Sequence, residues 1–426
     1  MPCLLRPSLI KRNQEVGPTD NLAVARIESR YVQGPSIQER VEEDRASPRL
    51  GESRPRQRLT GTDEGEPLQL VRLGDGPDIL LPGRQPEEIH RYLGALRHSG
   101  LFKPEDAHLA KLAKLPASRA RSSDGKLRVG ILLSQPGWQL TPGFHQTLSL
   151  HMDRVIENGG HPVLLPAMAD LVMAPEKRAA TLLAQAKMLD GMVGPGGADV
   201  DPRIYGAKPS FSLSTNYERD RYEADLALAA MDSRCAMLGV CRSHQLWNAA
   251  SGGTLHQDVQ ASGRTVTDQN QLNHGLPLSQ PFVLKSLSGK TIYSNDVVVA
   301  KGSDVAATIG NTHLVPNSLH HQVVATPGAF RVVGVAPDSD TGKRSIEMTE
   351  RWNAMTMQFH PEFMPSDVKQ RALYGVFGRR AEIFHMVREQ GPRIDVAALE
   401  RRMRDSGHFI DTDFRWVRAN ATRLTR

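Results

Sequence analysis

From Leu127 onward, short apolar runs alternate with apolar stripes at helical spacing. Leu127-Arg128-Val129-Gly130-Ile131-Leu132-Leu133 predicts a first strand. Thr141-Pro142 then opens a helix whose Phe144, Leu148, Met152, Val155 and Ile156 form one apolar face, ended by Asn158-Gly159-Gly160. Pro162 to Pro166 reads as a strand, Pro175 to Leu189 as a helix, and Asp190 to Val193 as a third strand. Ala236-Met237-Leu238-Gly239-Val240 is a bounded apolar run, hence a buried strand, followed by a helix with Leu246, Ala249 and Ala250 on one face. Between Gln271 and Asp338 the pattern turns irregular and β-rich, with Phe282 to Leu284, Val297 to Val299 and Phe330 to Val335 as strands. A last strand ends near Gln358, and Val368 to Phe377 predicts a closing helix. This alternation predicts an α/β fold: a mostly parallel central sheet with helices on both faces. Ligands then bind beyond the C-terminal ends of the strands.

The two ends of the chain differ from this middle. Residues 1–84 are polar and rich in Arg, Glu, Gly and Pro without sustained periodicity, so they are expected to form a disordered or loosely ordered arm. Residues 85–126 read as a helical hairpin: Pro86 opens a stripe of Ile89, Tyr92, Leu93 and Leu96, and Pro104 opens one with Leu109, Leu112 and Ala113. The main domain is expected over 127–390, where Gly391-Pro392 breaks the chain. A basic tail, 391–426, follows, with an amphipathic helix around Leu399 and Met403 that suits a peripheral lid or a subunit contact.

Composition adds a few exclusions. A net charge of +6 invites a nucleic-acid partner, but the basic residues gather in the two ends and are interleaved with acids, so no nucleic-acid site is expected. No apolar run suits a signal peptide or a membrane span. Three cysteines form no disulfide framework, which fits a reducing, cytoplasmic setting.

Chemistry concentrates at the predicted strand ends. Cys241 directly follows the Ala236–Val240 run, on the turn into a helix whose first N–H groups aim at the sulfur. Taken alone, a reactive thiol and a small packed side chain are equally good readings. His360-Pro361-Glu362 breaks the balance: residues two apart in an extended chain point the same way, so imidazole and carboxylate can pair and serve Cys241 as nucleophile. Gly194-Pro195-Gly196-Gly197 follows the third strand, where glycines let backbone N–H groups approach a developing oxyanion. His244 lies one turn beyond Cys241, on a helix running away from it, and is expected to pack or hydrogen-bond locally. Adjacent His320-His321 suggests metal, but sequence neighbours rarely converge on one ion, so no metal and no organic cofactor is expected.

Several segments together resemble the class I glutamine-amidotransferase-like proteins, and among them the gamma-glutamyl-gamma-aminobutyrate hydrolase branch, peptidase family C26. They are Gly239-Val240-Cys241-Arg242 with Gln245, Asn248, Gly252-Gly253, Leu255 and Gln257-Asp258; Gly194 to Pro202 with Tyr205-Gly206; Arg219 to Glu223; Asn317 to Gln322; and Gln358 to Glu362. The resemblance runs from about Leu127 to Phe377 with the motifs in order; the family usually has Gly where this chain has Ser243. It implies a flavodoxin-like fold and a Cys241, His360, Glu362 triad. It further implies an oxyanion site from the backbone N–H groups of Gly197 and Arg242, and substrate contacts at Gly196, Gln245, Ser318, His320 and His321. The implied activity is hydrolysis of a γ-glutamyl amide of polyamine breakdown. A glutaminase serving a separate synthetase and a catalytically idle binding protein are the alternatives. A small-molecule substrate is the expected partner, and the sequence leaves room for a homodimer.

Overall fold

A computed structural model describes residues 68–72, 77–82, 113–114, 125–133, 142–166, 177–212, 215–258, 296–337, 344–391 and 393–425. The strands at the centre are β4 (Leu127–Leu133), β5 (Gly160–Pro166), β6 (Gly191–Gly194), β7 (Ala236–Val240) and β14 (Ala354–Met357). They lie in the order β14-β7-β6-β4-β5, every neighbouring pair parallel. That is the parallel centre the alternating pattern predicts. Beyond it the sheet is mixed. On one side β14 pairs antiparallel with β13 (Arg344–Arg351), which pairs with β12 (Arg331–Pro337) and β11 (Val323–Thr326). β9 (Val297–Val299), β10 (His313–Leu314) and β8 (Thr254–His256) complete that wing.

On the other side, β2 (Asp78–Pro82) pairs parallel with β5, and β1 (Leu68–Arg72) and β3 (Ala113–Lys114) extend the sheet antiparallel. This corrects the expectation of a loose arm over 1–84: its last part supplies two strands, and Asp78, Ile79 and Leu80 are buried. The runs LQLVR and DILLP are too short to stand out by periodicity, and each gains its stability from a pre-existing sheet edge. Ala113-Lys114 is likewise a strand, not the helix expected there; the rest of the predicted helical hairpin lies outside the described residues, as do residues 1–67 and the strand expected at Phe282 to Leu284.

Strand side chains alternate between two cores. Val129, Ile131 and Leu133 of β4 face one, Leu132 the other; Ala236, Leu238 and Val240 of β7 face the first, Met237 the second. The first core takes helices α1 (Pro142–Glu157) and α6 (Val368–Glu389); the second takes α2 (Arg178–Met188), α3 (Tyr217–Met231) and α4 (Arg242–Ala250). On α1 the buried face is centred on Leu148, His151 and Val155, whereas Ile156, assigned to that face from the sequence, is 48% exposed. A short helix α5 (Asp304–Ile309) packs against α6. No described helix is long and apolar enough to cross a membrane.

The C-terminal region is not a peripheral tail. It folds into α7 (Val396–Ser406), α8 (Asp411–Ala419) and α9 (Ala421–Thr425), and Leu399, Met403, Trp416, Val417 and Leu424 all join the first core. The Trp416 ring meets Phe384 of α6 edge-on at 5.7 Å, and the Arg380 guanidinium lies 3.6 Å from its centre. Such an indole contributes both buried area and a cation–π contact. Trp416→Ala should therefore lower unfolding stability by about 3–5 kcal/mol in urea titrations. A loss below about 1 kcal/mol would show that α8 only decorates the surface.

Candidate active site

Strand register brings the candidate residues together. Met357 of β14 lies opposite Val240 of β7, and Gly194 of β6 opposite Gly239 of β7. The chain leaving each of these three adjacent strands therefore emerges at one sheet end: Gln358 to His360 from β14, Cys241 from β7, the Pro195–Gly197 loop from β6. The Cys241 N–H continues the ladder by donating to the Met357 carbonyl at 2.7 Å. Cys241 itself has φ 49° and ψ −107°, the one non-glycine with positive φ among the described residues. That conformation costs on the order of 1–3 kcal/mol and lifts the side chain off the strand-to-helix turn.

His360 sits between sulfur and carboxylate. Its Nδ1–H donates to Glu362 Oε1 at 2.6 Å, and its backbone is held at both polar groups by Asn317: the His360 N–H donates to Asn317 Oδ1, and Asn317 Nδ2 donates to the His360 carbonyl, each at 2.8 Å. The ring stacks on Phe363 with centroids 5.2 Å apart. A methyl group at Gly196 would fall 2.6 Å from His360 Cε1 and 3.3 Å from Cys241 Cβ, so this loop passes directly over the pair and only glycine fits. Burial would lower the His360 pKa, but Glu362 and Cys241 outweigh it and push the value up to about 10. Gln358 Nε2 approaches the Cys241 sulfur at 3.7 Å.

Behind Glu362 lies a relay that the sequence does not advertise. Burial would raise the Glu362 pKa, but His151 and His360 together hold the carboxyl well below the usual range. His151 Nε2 is 3.4 Å from Glu362 Oε1, and the Tyr374 hydroxyl pairs with His151 Nδ1 at 2.7 Å. Since the carboxylate only accepts, the consistent tautomer has Nε2–H facing it and Nδ1 accepting from tyrosine. His151 comes from α1 and Tyr374 from α6, both fully buried.

The Cys241 turn and the glycine loop share one buried anchor. Arg242 turns its side chain away from the site to Glu223 and Asp220 of α3; burial alone would lower its pKa, but the two carboxylates outweigh that and keep it firmly protonated. Asp220 also accepts from Arg219 Nε at 2.8 Å and from the Asp201 N–H at 2.7 Å, while Arg219 reaches the Asp199 carbonyl at 3.2 Å. Ser243, at the family's usual glycine position, donates to the Pro195 carbonyl at 2.9 Å and so ties helix to loop.

The remaining candidates fall around this centre. Arg242 opens α4, leaving its backbone N–H at the helix start beside Cys241, and Gly197 closes the loop above. Gln245 is buried and spends its amide N–H groups on the Gln322 carbonyl at 2.9 Å and Gln358 Oε1 at 3.2 Å. Ser318 and His320 are buried in the segment between β10 and β11, and His321 holds both oxygens of Asp199, at 2.9 and 3.0 Å. His244 bonds Thr356 Oγ1 at 2.7 Å, and burial pushes its pKa down to about 3, so it has no basic role.

The chain is similar to known proteins over about half of its length. The glutamine amidotransferase-like protein YvdE of Lactococcus lactis is 29% identical over 209 residues, covering 49% of this chain and 77% of that protein. A gamma-glutamyl-gamma-aminobutyrate hydrolase of Escherichia coli O157:H7 is 27% identical over 232 residues, covering 52% of this chain and 82% of the hydrolase. Among solved structures, the glutaminase domain of Trypanosoma brucei CTPS aligns at 13% identity with a TM-score of 0.40, over 60% of this chain and 94% of that one. The peptidase C26 profile matches residues 136–362, a span that holds Cys241, His360 and Glu362, and the chain belongs to that family of hydrolases.

Proposed function

We propose that this hydrolase cleaves a γ-glutamyl amide through a thioester on Cys241. The observation that carries the reading is His360, buried between the Glu362 carboxylate and the Cys241 sulfur and pushed up to about 10 by both. An imidazole so placed takes the thiol proton and keeps it at neutral pH. The sulfur attacks the side-chain carbonyl carbon of the substrate, the carbonyl electrons move onto oxygen, and backbone N–H groups of Gly197 and Arg242 receive that charge. As the C–N bond breaks, His360 Nε2–H hands its proton to the departing amine. A water then enters, gives a proton to His360 and its oxygen to the acyl carbon, and the C–S bond breaks to release glutamate. Glu362 stabilises the imidazolium throughout and fixes which nitrogen faces the sulfur. No step calls for a cofactor. Cys241→Ala should lower turnover on the order of 10⁴-fold without loss of fold, as read by rate and thermal melt. Parent-level hydrolysis by this variant would assign the chemistry to another group.

For the amide, γ-glutamyl-γ-aminobutyrate is the proposed substrate. The relative bearing that activity in its name supports it, while others are named glutamine amidotransferase-like, which supports a glutaminase that feeds a synthetase. The two differ in what they must accept beyond the scissile bond: an amine fragment in one case, only ammonia in the other. The expected kcat/KM for γ-glutamyl-γ-aminobutyrate exceeds that for free glutamine by about tenfold or more, roughly 1.4 kcal/mol in transition-state binding. Equal or better turnover of glutamine by the isolated chain would favour the glutaminase.

A further inference from the structure

On β13, the strand next to β14, lies a buried carboxyl group that the chemistry above does not use. Glu347, on β13, is 1% exposed, and neither of its carboxyl oxygens has a hydrogen-bond partner among the described residues. Its backbone carbonyl accepts from the N–H of Gln358, whose side chain in turn approaches the Cys241 sulfur. Facing it from the segment between β10 and β11 is His320. The His320 Nδ1–H donates to the Gln322 carbonyl at 3.0 Å, which in the neutral ring leaves Nε2 as an acceptor. That Nε2 is also buried and unpartnered, 4.0 Å from Glu347 Oε1.

Opposite a neutral His320, whose Nε2 can only accept, the buried carboxyl is matched when it carries its proton. We infer that Glu347 is a positioning residue of this site, kept as the neutral acid, whose O–H is turned to His320 Nε2 and seats the His320–Gln322 segment against the catalytic pair. The seat matters because Gln322 holds Gln245 through its carbonyl and His321 holds Asp199 beyond the glycine loop.

The protonation states agree with this geometry. Burial alone raises the Glu347 pKa to about 8, and burial lowers that of His320 to about 4, with the charge on His360 and His321 acting in the same direction. His244 of α4 also lies near His320 and is held neutral by burial, and among the described residues no cation acts on Glu347 to stabilise its ionised form. Above about pH 8 the carboxylate would carry an uncompensated charge against a lone pair. The segment then loses its seat.

The test rests on the γ-glutamyl hydrolase reading for its assay, and alkylation of Cys241 by a glutamine-like chloroketone separates the two. In the native protein both kcat/KM and the alkylation rate should fall with an apparent pKa of about 8, hence about tenfold one pH unit above it. Glu347→Gln supplies an N–H to His320 and cannot ionise; it should keep neutral-pH kcat/KM within about twofold and move the fall toward that of His360, about 10. Glu347→Met cannot ionise or donate, and should lack the fall near 8 while raising KM several-fold with little change in kcat. A native profile with no fall near 8, a fall that persists in either variant, or a Gln variant crippled at neutral pH would each overturn the role of Glu347. Alkylation of Cys241 without hydrolysis of any γ-glutamyl amide would instead sink the functional reading and leave the Glu347 profile readable in the alkylation rate.

Discussion

The hydrogen bond from the Cys241 N–H to the Met357 carbonyl is the joint on which the site depends. It carries the pairing of two parallel strands one step past their formal ends, and so fixes how far the Cys241 turn stands from the chain that leads to His360. Everything nearby adjusts to that step. Cys241 accepts a left-handed backbone, the glycine loop passes within a methyl's width of the imidazole, and Asn317 grips the His360 peptide on both sides. The strain at Cys241 persists because the helix that follows is anchored by an ion cluster on α3, not by the turn itself.

That cluster is buried, and buried ions are costly to desolvate unless each finds partners. Here they do: Asp220 serves Arg219, Arg242 and the Asp201 backbone at once. One helix thereby positions two loops that approach from different strands. Charge is used as a spacer between the Cys241 turn and the glycine loop, where an apolar contact would hold neither direction nor register.

Much of this was legible in the chain. The bounded run Ala236–Val240, the cysteine after it, the Gly-Pro-Gly-Gly loop and His360-Pro361-Glu362 carry local signals of strand, turn and paired side chains, and the parallel centre of the sheet follows from their alternation. What escaped was of another kind. His151 looks polar to any hydropathy count, so the α1 face was drawn toward Ile156, although burial selects Leu148, His151 and Val155. Its role exists only once α6 brings Tyr374 alongside. Leu68 to Pro82 gave no periodic signal because two five-residue strands become stable only on a finished sheet edge. The C-terminal residues read as a basic tail because eight Arg are scattered among the apolar positions of 391–426 and blur their spacing, yet Leu399, Met403 and Trp416 are spaced to reach one core.

The line from Tyr374 through His151 to Glu362 has a further consequence. It roots the imidazole's carboxylate partner in α1 and α6, the helical layer on one face of the sheet, and not in the strands that deliver the cysteine. Local stability differs from one part of a fold to another, so a helical layer and a strand ladder need not open together. A movement of that layer would therefore reach the angle and tautomer of the His360 ring through its carboxylate partner, even where the ladder between β7 and β14 stays closed.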